Sequence, residues 1–236
     1  ITLAPQGSLY IDRWSDPYTP HQQVLAEIGR GTIRRLDTNP VRERERFRFG
    51  KHERVRIPLA DGFILEGAIT YPPDFDPQKR YPVWLFIYGG PRMPTIRDDY
   101  SAGRVLDQSL ASSGIVVVRV DPRSASGKGA QSAWSCYKQL GVQELKDLEE
   151  AVRWLIAQNW ADPKRIGLSG HSYGGYLTAY ALTHSSLFAA GIASGPVTDW
   201  HLYDTIYTER YMLTPQENPN RYERSSCLNA AKNLQG

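Results

Sequence analysis

The chain has 236 residues, of which 41% are hydrophobic and 22% charged, an ordinary composition for a globular protein. Its net charge of +3 is too small, and its basic residues are too scattered, to indicate a nucleic-acid partner. No apolar run approaches the roughly 20 residues that cross a bilayer, so the sequence predicts no membrane segment in this chain. The two cysteines, Cys136 and Cys227, indicate no disulfide framework and leave a single bridge open.

Residues 1–38 have the pattern of short strands, with alternating apolar positions at 9–14 and 24–28. Because an isolated hairpin is marginal in water, we expect this segment to belong to a larger all-β unit. A hairpin that packs on the next domain is the alternative. A charged, helical linker is expected from Asn39 to about Phe49. Since the chain opens on Ile1 rather than Met, we also expect it to be a piece of something longer.

From Glu53 onward, strands alternate with helices. A hairpin closed by Asp61-Gly62 comes first. Such alternation predicts an α/β fold with a mostly parallel sheet covered by helices on both faces. The buried strands are expected at 83–88, 115–120, 165–169 and 189–193, and the helices at 99–112, 142–159 and 177–182.

Hydrophobic periodicity assigns faces to two of these helices. In the 142–159 helix, Leu145, Leu148 and Leu155 fall at helical spacing. The charged residues of this helix, Glu144 and Asp147 included, are expected mostly to face water. The 99–112 helix carries three apolar residues on one side: Val105, Leu106 and Leu110.

The heptapeptide 170–176, Gly-His-Ser-Tyr-Gly-Gly-Tyr, contains the pattern G-x-S-x-G. It follows the 165–169 strand, which the turn Asp162–Arg165 is expected to precede, and it opens the 177–182 helix. This is the context of a nucleophile elbow, in which a sharp turn presents Ser172 above the sheet edge. A Cβ at Gly170 or Gly174 would collide with the neighbouring strand or helix. A plain turn is the alternative interpretation.

Acyl transfer at a serine needs donors for the oxyanion. The elbow supplies one, the backbone N–H of Tyr173. A second usually comes from the loop after an earlier strand, here 88–91, Tyr-Gly-Gly-Pro, where the Tyr88 hydroxyl is a candidate donor. The alternative is a strand-ending turn whose tyrosine only packs.

The general base is harder to find. In hydrolases with such an elbow, an acid and then a histidine follow the serine along the chain. After Ser172, His184 lies at the end of the elbow's own helix and His201 lies beside Asp199, so neither completes such a pair. We therefore expect the base and its orienting acid to be missing from this chain. All the histidines are interpreted as structural or surface residues: His21, His52, His171, His184 and His201.

Aromatic residues follow the last predicted strand. Trp200, Tyr203, Tyr207 and Tyr211 are spaced by three, four and four residues, which places their rings on one helical face. A core stripe is one interpretation. The other is a ring-lined slot near Ser172 that suits a flat apolar residue such as proline, because tyrosine is a poor choice for a deep core unless its hydroxyl is satisfied.

The motifs at 88–91, 170–176 and 200–212 resemble the catalytic domain of the prolyl oligopeptidase clan of serine peptidases, specifically its dipeptidyl peptidase IV branch. The resemblance implies an α/β-hydrolase domain over residues 51–236, incomplete at its C-terminal end. It also implies that residues 1–50 are the end of a β-propeller domain and a linker. Activity on peptide substrates, without metal or cofactor, is implied, as are frequent dimers and a periplasmic or extracellular location.

The resemblance also implies roles for single residues. Ser172 would be the nucleophile, and the Tyr173 N–H and Tyr88 hydroxyl would form the oxyanion hole. The enzyme would release N-terminal dipeptides that carry Pro or Ala at the penultimate position. The catalytic Asp and His would lie on a segment after Gly236. The pocket for the penultimate residue would be lined by Tyr173, Val197, Trp200, Tyr203 and Tyr207.

Two other hypotheses about the function of this chain stay open. The chain could be another acyl hydrolase of the clan, such as an acylaminoacyl peptidase, an oligopeptidase or an esterase. It could also be a non-catalytic interaction protein that keeps the fold. For the 236-residue chain alone we expect no useful turnover, because nothing in it is placed to deprotonate Ser172.

Overall fold

The structure, a computed structural model, describes residues 1–5, 7–41, 46–100 and 105–234. Its first part is a four-stranded antiparallel sheet in the order β1-β2-β3-β4. The expected strand pattern of residues 1–38 is thus confirmed, whereas its membership of a propeller and a domain boundary near residue 50 stay predictions. The four strands are β1 Thr2–Leu3, β2 Leu9–Trp14, β3 Gln22–Glu27 and β4 Gly31–Asp37.

The second sheet has six strands in the order β10-β9-β7-β8-β6-β5. The β10–β9, β9–β7 and β7–β8 pairs are parallel, and the β8–β6 and β6–β5 pairs are antiparallel. The predicted α/β class and hairpin are therefore confirmed. The strands are β5 His52–Pro58, β6 Ile64–Thr70, β7 Tyr81–Phe86, β8 Val116–Asp121, β9 Ala161–His171 and β10 Ala190–Ser194.

Six α-helices accompany the strands in the described part of the chain, and none of them is long and apolar enough to cross a membrane. Short 3₁₀ turns occur at Trp134–Cys136, Trp200–Leu202 and Ala231–Asn233. The α-helices are α1 Val105–Ser112, α2 Ala130–Ala133, α3 Val142–Ala157, α4 Tyr173–His184, α5 Thr205–Met212 and α6 Pro219–Ser225.

Two local expectations differ from the structure. The turn expected at Asp162–Arg165 lies inside β9, at a register shift against β7. The residues between the two registers bulge, and the Asp162 carboxylate accepts from the Lys164 N–H. The helical linker expected from Asn39 to Phe49 has its middle, residues 42–45, outside the described residues, and residues 47–49 are not helical.

The apolar side expected for helix α1 is not its buried side. Val105 is 80% exposed and Leu106 is 55% exposed, while Asp107 and Gln108 are buried. The reason is pairing rather than hydrophobicity, because Asp107 takes both hydrogen bonds of a bidentate pair with Arg119 on β8. Polar partners on the sheet therefore decide which face of the helix turns inward.

Strand β10 is exposed, contrary to the expectation of a buried strand. All five of its residues are exposed, and Ile192 is 62% accessible. Within the described residues β10 pairs only with β9, so it forms an edge of the sheet. An apolar run predicts a strand, but its place in the sheet order decides its burial.

Two carboxyl groups of helix α3 also contradict the expected faces. Glu144 and Asp147 are both completely buried rather than in water. Asp147 is compensated by Arg123, whose guanidinium lies 2.8 Å away. Glu144 accepts hydrogen bonds from two hydroxyl groups, those of Ser124 and Tyr173. The contacts of Arg123 with Asp147 and of Ser124 with Glu144 tie the loop after β8 to α3.

Candidate active site

The bend between β9 and α4 is sharp, as the G-x-S-x-G motif predicts. Ser172 has φ 57° and ψ −117°, a conformation that few residues other than glycine adopt. Holding such a backbone costs about 1–3 kcal/mol and is typical of functional sites. The Ser172 N–H donates to the Ser194 carbonyl at 2.9 Å, which fixes the bend against the end of β10.

Glycines allow the bend to lie close to its neighbours. A Cβ on Gly170 would come within 2.5 Å of the Gly174 backbone and of the Ile87 carbonyl oxygen. A Cβ on Gly174 would overlap the same carbonyl oxygen, and one on Gly175 would overlap that of Ser194. The predicted steric reason for glycine at 170 and 174 is therefore confirmed.

The Ser172 hydroxyl forms no hydrogen bond with the described residues. Ser172 occupies the N-cap position of α4, where a serine side chain ordinarily accepts from the helix, but its side chain makes no capping bond. The residue is half-buried, and its Oγ is not among the fully buried side-chain oxygens without a partner in the described residues, so the hydroxyl is accessible. Tyr173 begins the helix, and the first N–H groups of a helix have no acceptor inside it and carry partial positive charge.

Tyr88 follows β7 at the same edge of the sheet. Its ring lies 6.3 Å from the Tyr173 ring and folds over Gly90, where a Cβ would come 2.5 Å from it. Burial, with a smaller contribution from Tyr203, raises the pKa of the Tyr88 phenol, so the hydroxyl stays protonated and can donate. The structure thus brings Tyr88 beside the residue that follows Ser172.

The predicted pocket rings form one continuous cluster. Trp200 lies 5.8 Å from Tyr173, 6.0 Å from Tyr203 and 6.0 Å from Tyr207, between ring centroids. Tyr203 and Tyr207 meet edge to face at 5.6 Å. Instead of one helix, the segment is a 3₁₀ turn and α5, which Asp204 caps by accepting from the Tyr207 N–H.

Exposure differs across this cluster. Trp200 is 1% exposed, and Tyr203 is 44% exposed. Val197 and Tyr207 are half-buried and pack against the core. The cluster is therefore buried at Trp200 and exposed to solvent at Tyr203.

Sequence reasoning missed the contacts of two residues with this cluster, Tyr176 and Glu144. Tyr176 lies 4.9 Å from Trp200, and Tyr211, which the sequence places on one face with the other rings, lies 5.0 Å from Tyr207. Glu144 lies behind Tyr173 and accepts from its hydroxyl at 3.1 Å. The signal for Glu144 was its spacing of four from Leu148, which places it on the apolar stripe.

The five histidines lie away from the position of a base for Ser172. His171 Nδ1 is 3.1 Å from the Ser194 hydroxyl, and His184 stacks on Tyr180. His201 Nδ1 is 2.7 Å from Asp199 on the surface. Within the described residues no histidine forms a hydrogen bond with Ser172. His52 is buried beside Thr70, and His21 packs its ring edge-on against Tyr100.

The two cysteines are free thiols, both buried, so the bridge that the sequence left open is absent from the described structure. Burial raises the pKa of the Cys227 thiol to about 12 and raises that of Cys136 further. Neither cysteine is therefore a nucleophile near neutral pH. Ser172 is the candidate nucleophile that the described geometry favours.

Comparison with known proteins gives one family. The sequence profile of the prolyl oligopeptidase family matches residues 104–235. Dipeptidyl peptidase 4 of Trichophyton equinum is 32% identical over 246 residues, a match that covers 100% of this chain and 31% of that protein.

Comparison with solved structures gives the same family as the sequence comparisons. The crystal structure of Porphyromonas gingivalis dipeptidyl peptidase 4 superposes with a TM-score of 0.90 at 38% identity, over 97% of this chain and 33% of that one. A Bacteroides ovatus structure reaches 0.93 at 33% identity, over 100% of this chain and 34% of its own. This chain therefore spans about a third of the length of such relatives. It belongs to the prolyl oligopeptidase family and has that family's α/β-hydrolase fold.

Proposed function

We propose that this chain carries the nucleophile and the specificity pocket of a serine peptidase that releases N-terminal dipeptides with Pro or Ala at the penultimate position. One observation carries the proposal. The Ser172 hydroxyl is uncapped and accessible on a strained bend, and the next residue in the chain opens onto a cluster of aromatic rings. The names of the relatives support the same activity class.

The reaction follows from this arrangement. Ser172 Oγ attacks the carbonyl carbon of the penultimate residue, its proton passes to a base, and the peptide C–N bond then breaks as the leaving amine takes that proton. The acyl group remains on Ser172 until water releases the dipeptide. The Tyr173 N–H and the Tyr88 hydroxyl donate to the oxygen that becomes negative in the transition state.

The ring cluster accounts for the proposed preference. A pyrrolidine ring or a methyl group would pack against the flat aromatic faces between the buried Trp200 and the exposed Tyr203. Longer side chains would need Trp200 to move from a fully packed position. Val197 and Tyr207 would complete the walls.

The proposal also includes a general base that accepts the proton of Ser172. Because the described histidines make their contacts elsewhere, the Asp and His of the triad would be supplied by a part of the whole protein beyond these 236 residues. The relatives, which are about three times as long, leave room for such a part. We expect turnover from the whole protein and none from this chain alone.

The first experiment measures release of 4-nitroaniline from an Ala-Pro anilide by the whole protein. We expect Ser172→Ala to reduce kcat by roughly 10³-fold or more, as loss of a triad member does. Ser113→Ala is the matched control, since this hydroxyl is exposed and bonds only the Ser109 carbonyl. Turnover that survives Ser172→Ala would end the assignment.

A second substrate separates the proposal from the other acyl hydrolases. The same anilide with a blocked N-terminus should be a much poorer substrate for a dipeptidyl peptidase. Faster turnover of the blocked compound would instead favour an acylaminoacyl peptidase or an oligopeptidase. Turnover of simple esters alone would favour an esterase.

A further inference from the structure

Glu144 lies directly behind the candidate site. It is in the first turn of α3 and is 0% exposed. Its Oε1 accepts from the Tyr173 hydroxyl at 3.1 Å and from the Ser124 hydroxyl at 3.1 Å. Its Oε2 is buried and has no hydrogen-bond partner among the described residues. The carboxyl group is thus directed at two hydroxyls, one of which belongs to the elbow.

No cation among the described residues forms an ion pair with Glu144. Its neighbour Asp147, by contrast, is paired with Arg123. The other titratable groups around it are the phenols of α4 and α5 and the Cys136 thiol, none of which is positively charged. Burial raises the pKa of Glu144 to about 7. A carboxyl here costs stability, which a leucine of similar size would not.

Glu144 is connected to the candidate site through its hydrogen bond with one residue, Tyr173. Tyr173 is anchored at its backbone by the start of α4 and at its hydroxyl by Glu144. Its ring, between these two points, lies against Tyr88 at 6.3 Å and Trp200 at 5.8 Å. Fixing the hydroxyl therefore fixes the ring face offered to Tyr88 and Trp200, because a tyrosine held at both ends has no free rotamer.

We propose that Glu144 is a positioning residue, which holds the Tyr173 phenol so that its ring forms a rigid wall of the pocket for the penultimate residue. This inference rests on the proposed function for its effect on substrate. Glu144 does not touch the substrate. Its contribution is to binding, so its loss should raise KM more than it lowers kcat.

Three variants test the contact in the whole protein. Glu144→Leu removes the acceptor and Tyr173→Phe removes the donor. Each should raise KM for the Ala-Pro anilide about tenfold, the usual size of coupling through residues in contact, with a smaller change in kcat. Glu144→Gln keeps an acceptor oxygen and should restore KM to within about threefold of the starting protein.

The double variant and a control complete the set. Glu144→Leu combined with Tyr173→Phe should have the KM of Tyr173→Phe alone, since both changes remove the same bond. Glu150→Leu, on the same helix, removes a carboxylate that accepts from the Ala60 N–H and should leave KM unchanged. Independent, multiplying effects of the two substitutions on KM, or no effect of Glu144→Leu, would overturn the proposal.

A spectroscopic readout is independent of turnover. The whole protein is labelled with ¹³C at the tyrosine Cζ, and its NMR spectrum is recorded. The Tyr173 resonance is the one that is absent from the spectrum of Tyr173→Phe. We expect this resonance to move in Glu144→Leu and to stay in place in Glu150→Leu. If it stays in place in Glu144→Leu, Glu144 does not hold the phenol. If it moves while the starting protein fails to cleave the anilide, the proposed function fails and the positioning of Tyr173 stands.

Discussion

Single residues at this site were predicted where steric or chemical demands are strict. Glycine at 170 and 174 followed from the space that an elbow leaves, whereas the positive φ of Ser172 is a finding of the structure. The burial of Glu144 was not predicted, because a charged residue ordinarily faces water. Its partners, Ser124 and Tyr173, are 20 and 29 residues away in sequence, so only the fold brings them together.

The buried Glu144 predicts a dependence of stability on pH. Its ordinary pKa of 4.5 is raised to about 7 in the folded chain. Between these values the folded state binds a proton that the unfolded state has released. The stabilisation by this proton is therefore full below about pH 4.5 and is lost as pH rises through about 7. At 1.36 kcal/mol per unit, the shift corresponds to about 3 kcal/mol.

Urea unfolding at about pH 5 and about pH 8 measures this effect. We expect the free energy of unfolding to fall with pH by up to about 3 kcal/mol more in the starting chain than in Glu144→Gln. Glu150→Gln should retain the full pH dependence. Equal pH dependence in the starting chain and in Glu144→Gln would show that Glu144 does not titrate in this range.

Tyr88 allows a kinetic prediction at the same scale. Its raised pKa keeps the hydroxyl protonated, so it can donate to an oxyanion throughout the neutral range. Removing one such donor costs roughly 10²–10³ in kcat. We expect Tyr88→Phe to lower kcat by that factor with little change in KM for the Ala-Pro anilide.

Tyr203→Phe is the comparison for Tyr88→Phe. Its ring lies at the open rim of the cluster, so loss of its hydroxyl should change kcat by less than about threefold. Equal kcat for Tyr88→Phe and the starting protein would remove Tyr88 from the oxyanion hole.

At the scale of elements, hydrophobic runs predicted the existence of strands and helices better than their burial. The run at 189–193 became β10, yet all of β10 is exposed because it lies at an edge. In α1 the buried side is set by Asp107 and its pair with Arg119. Strand order and long-range ion pairs are tertiary facts, which local periodicity does not contain.

The junction of β9 and α4 yields a prediction about packing. Gly174 lies in a helix, where alanine is intrinsically better by about 1 kcal/mol. A Cβ there would overlap the Ile87 carbonyl oxygen, which is backbone and cannot rotate away. We expect Gly174→Ala to destabilise the chain by about 1–3 kcal/mol, as overpacking does, when unfolding is measured with urea.

Gly62→Ala is the control for this substitution. Gly62 has φ +84° with no atom near a built Cβ, so its cost is that of the backbone conformation alone, about 1 kcal/mol. A Gly174→Ala chain as stable as the starting one would mean that the helix can withdraw from β7.

At the scale of the whole molecule, the order of strands and helices predicted a mostly parallel sheet, and the elbow motif predicted Ser172 at its edge. The structure confirms that sheet and places Asp121, Ser172 and Gly195 at or just beyond the ends of β8, β9 and β10. That the base lies outside this chain is inferred from the order of histidines along the sequence and stays a prediction. What the sequence did not contain was the link between this edge and the interior, through Tyr173 to Glu144.

The central claim is that the Ser172 hydroxyl is the nucleophile of a peptidase. Its most direct measurement is labelling of the whole protein with a fluorophosphonate, followed by mass spectrometry of the peptide that contains residues 166–184. We predict one adduct, on Ser172, which an Ala-Pro product-like competitor slows and Ser172→Ala abolishes. No adduct at Ser172, or an adduct elsewhere that persists in Ser172→Ala, would contradict the account.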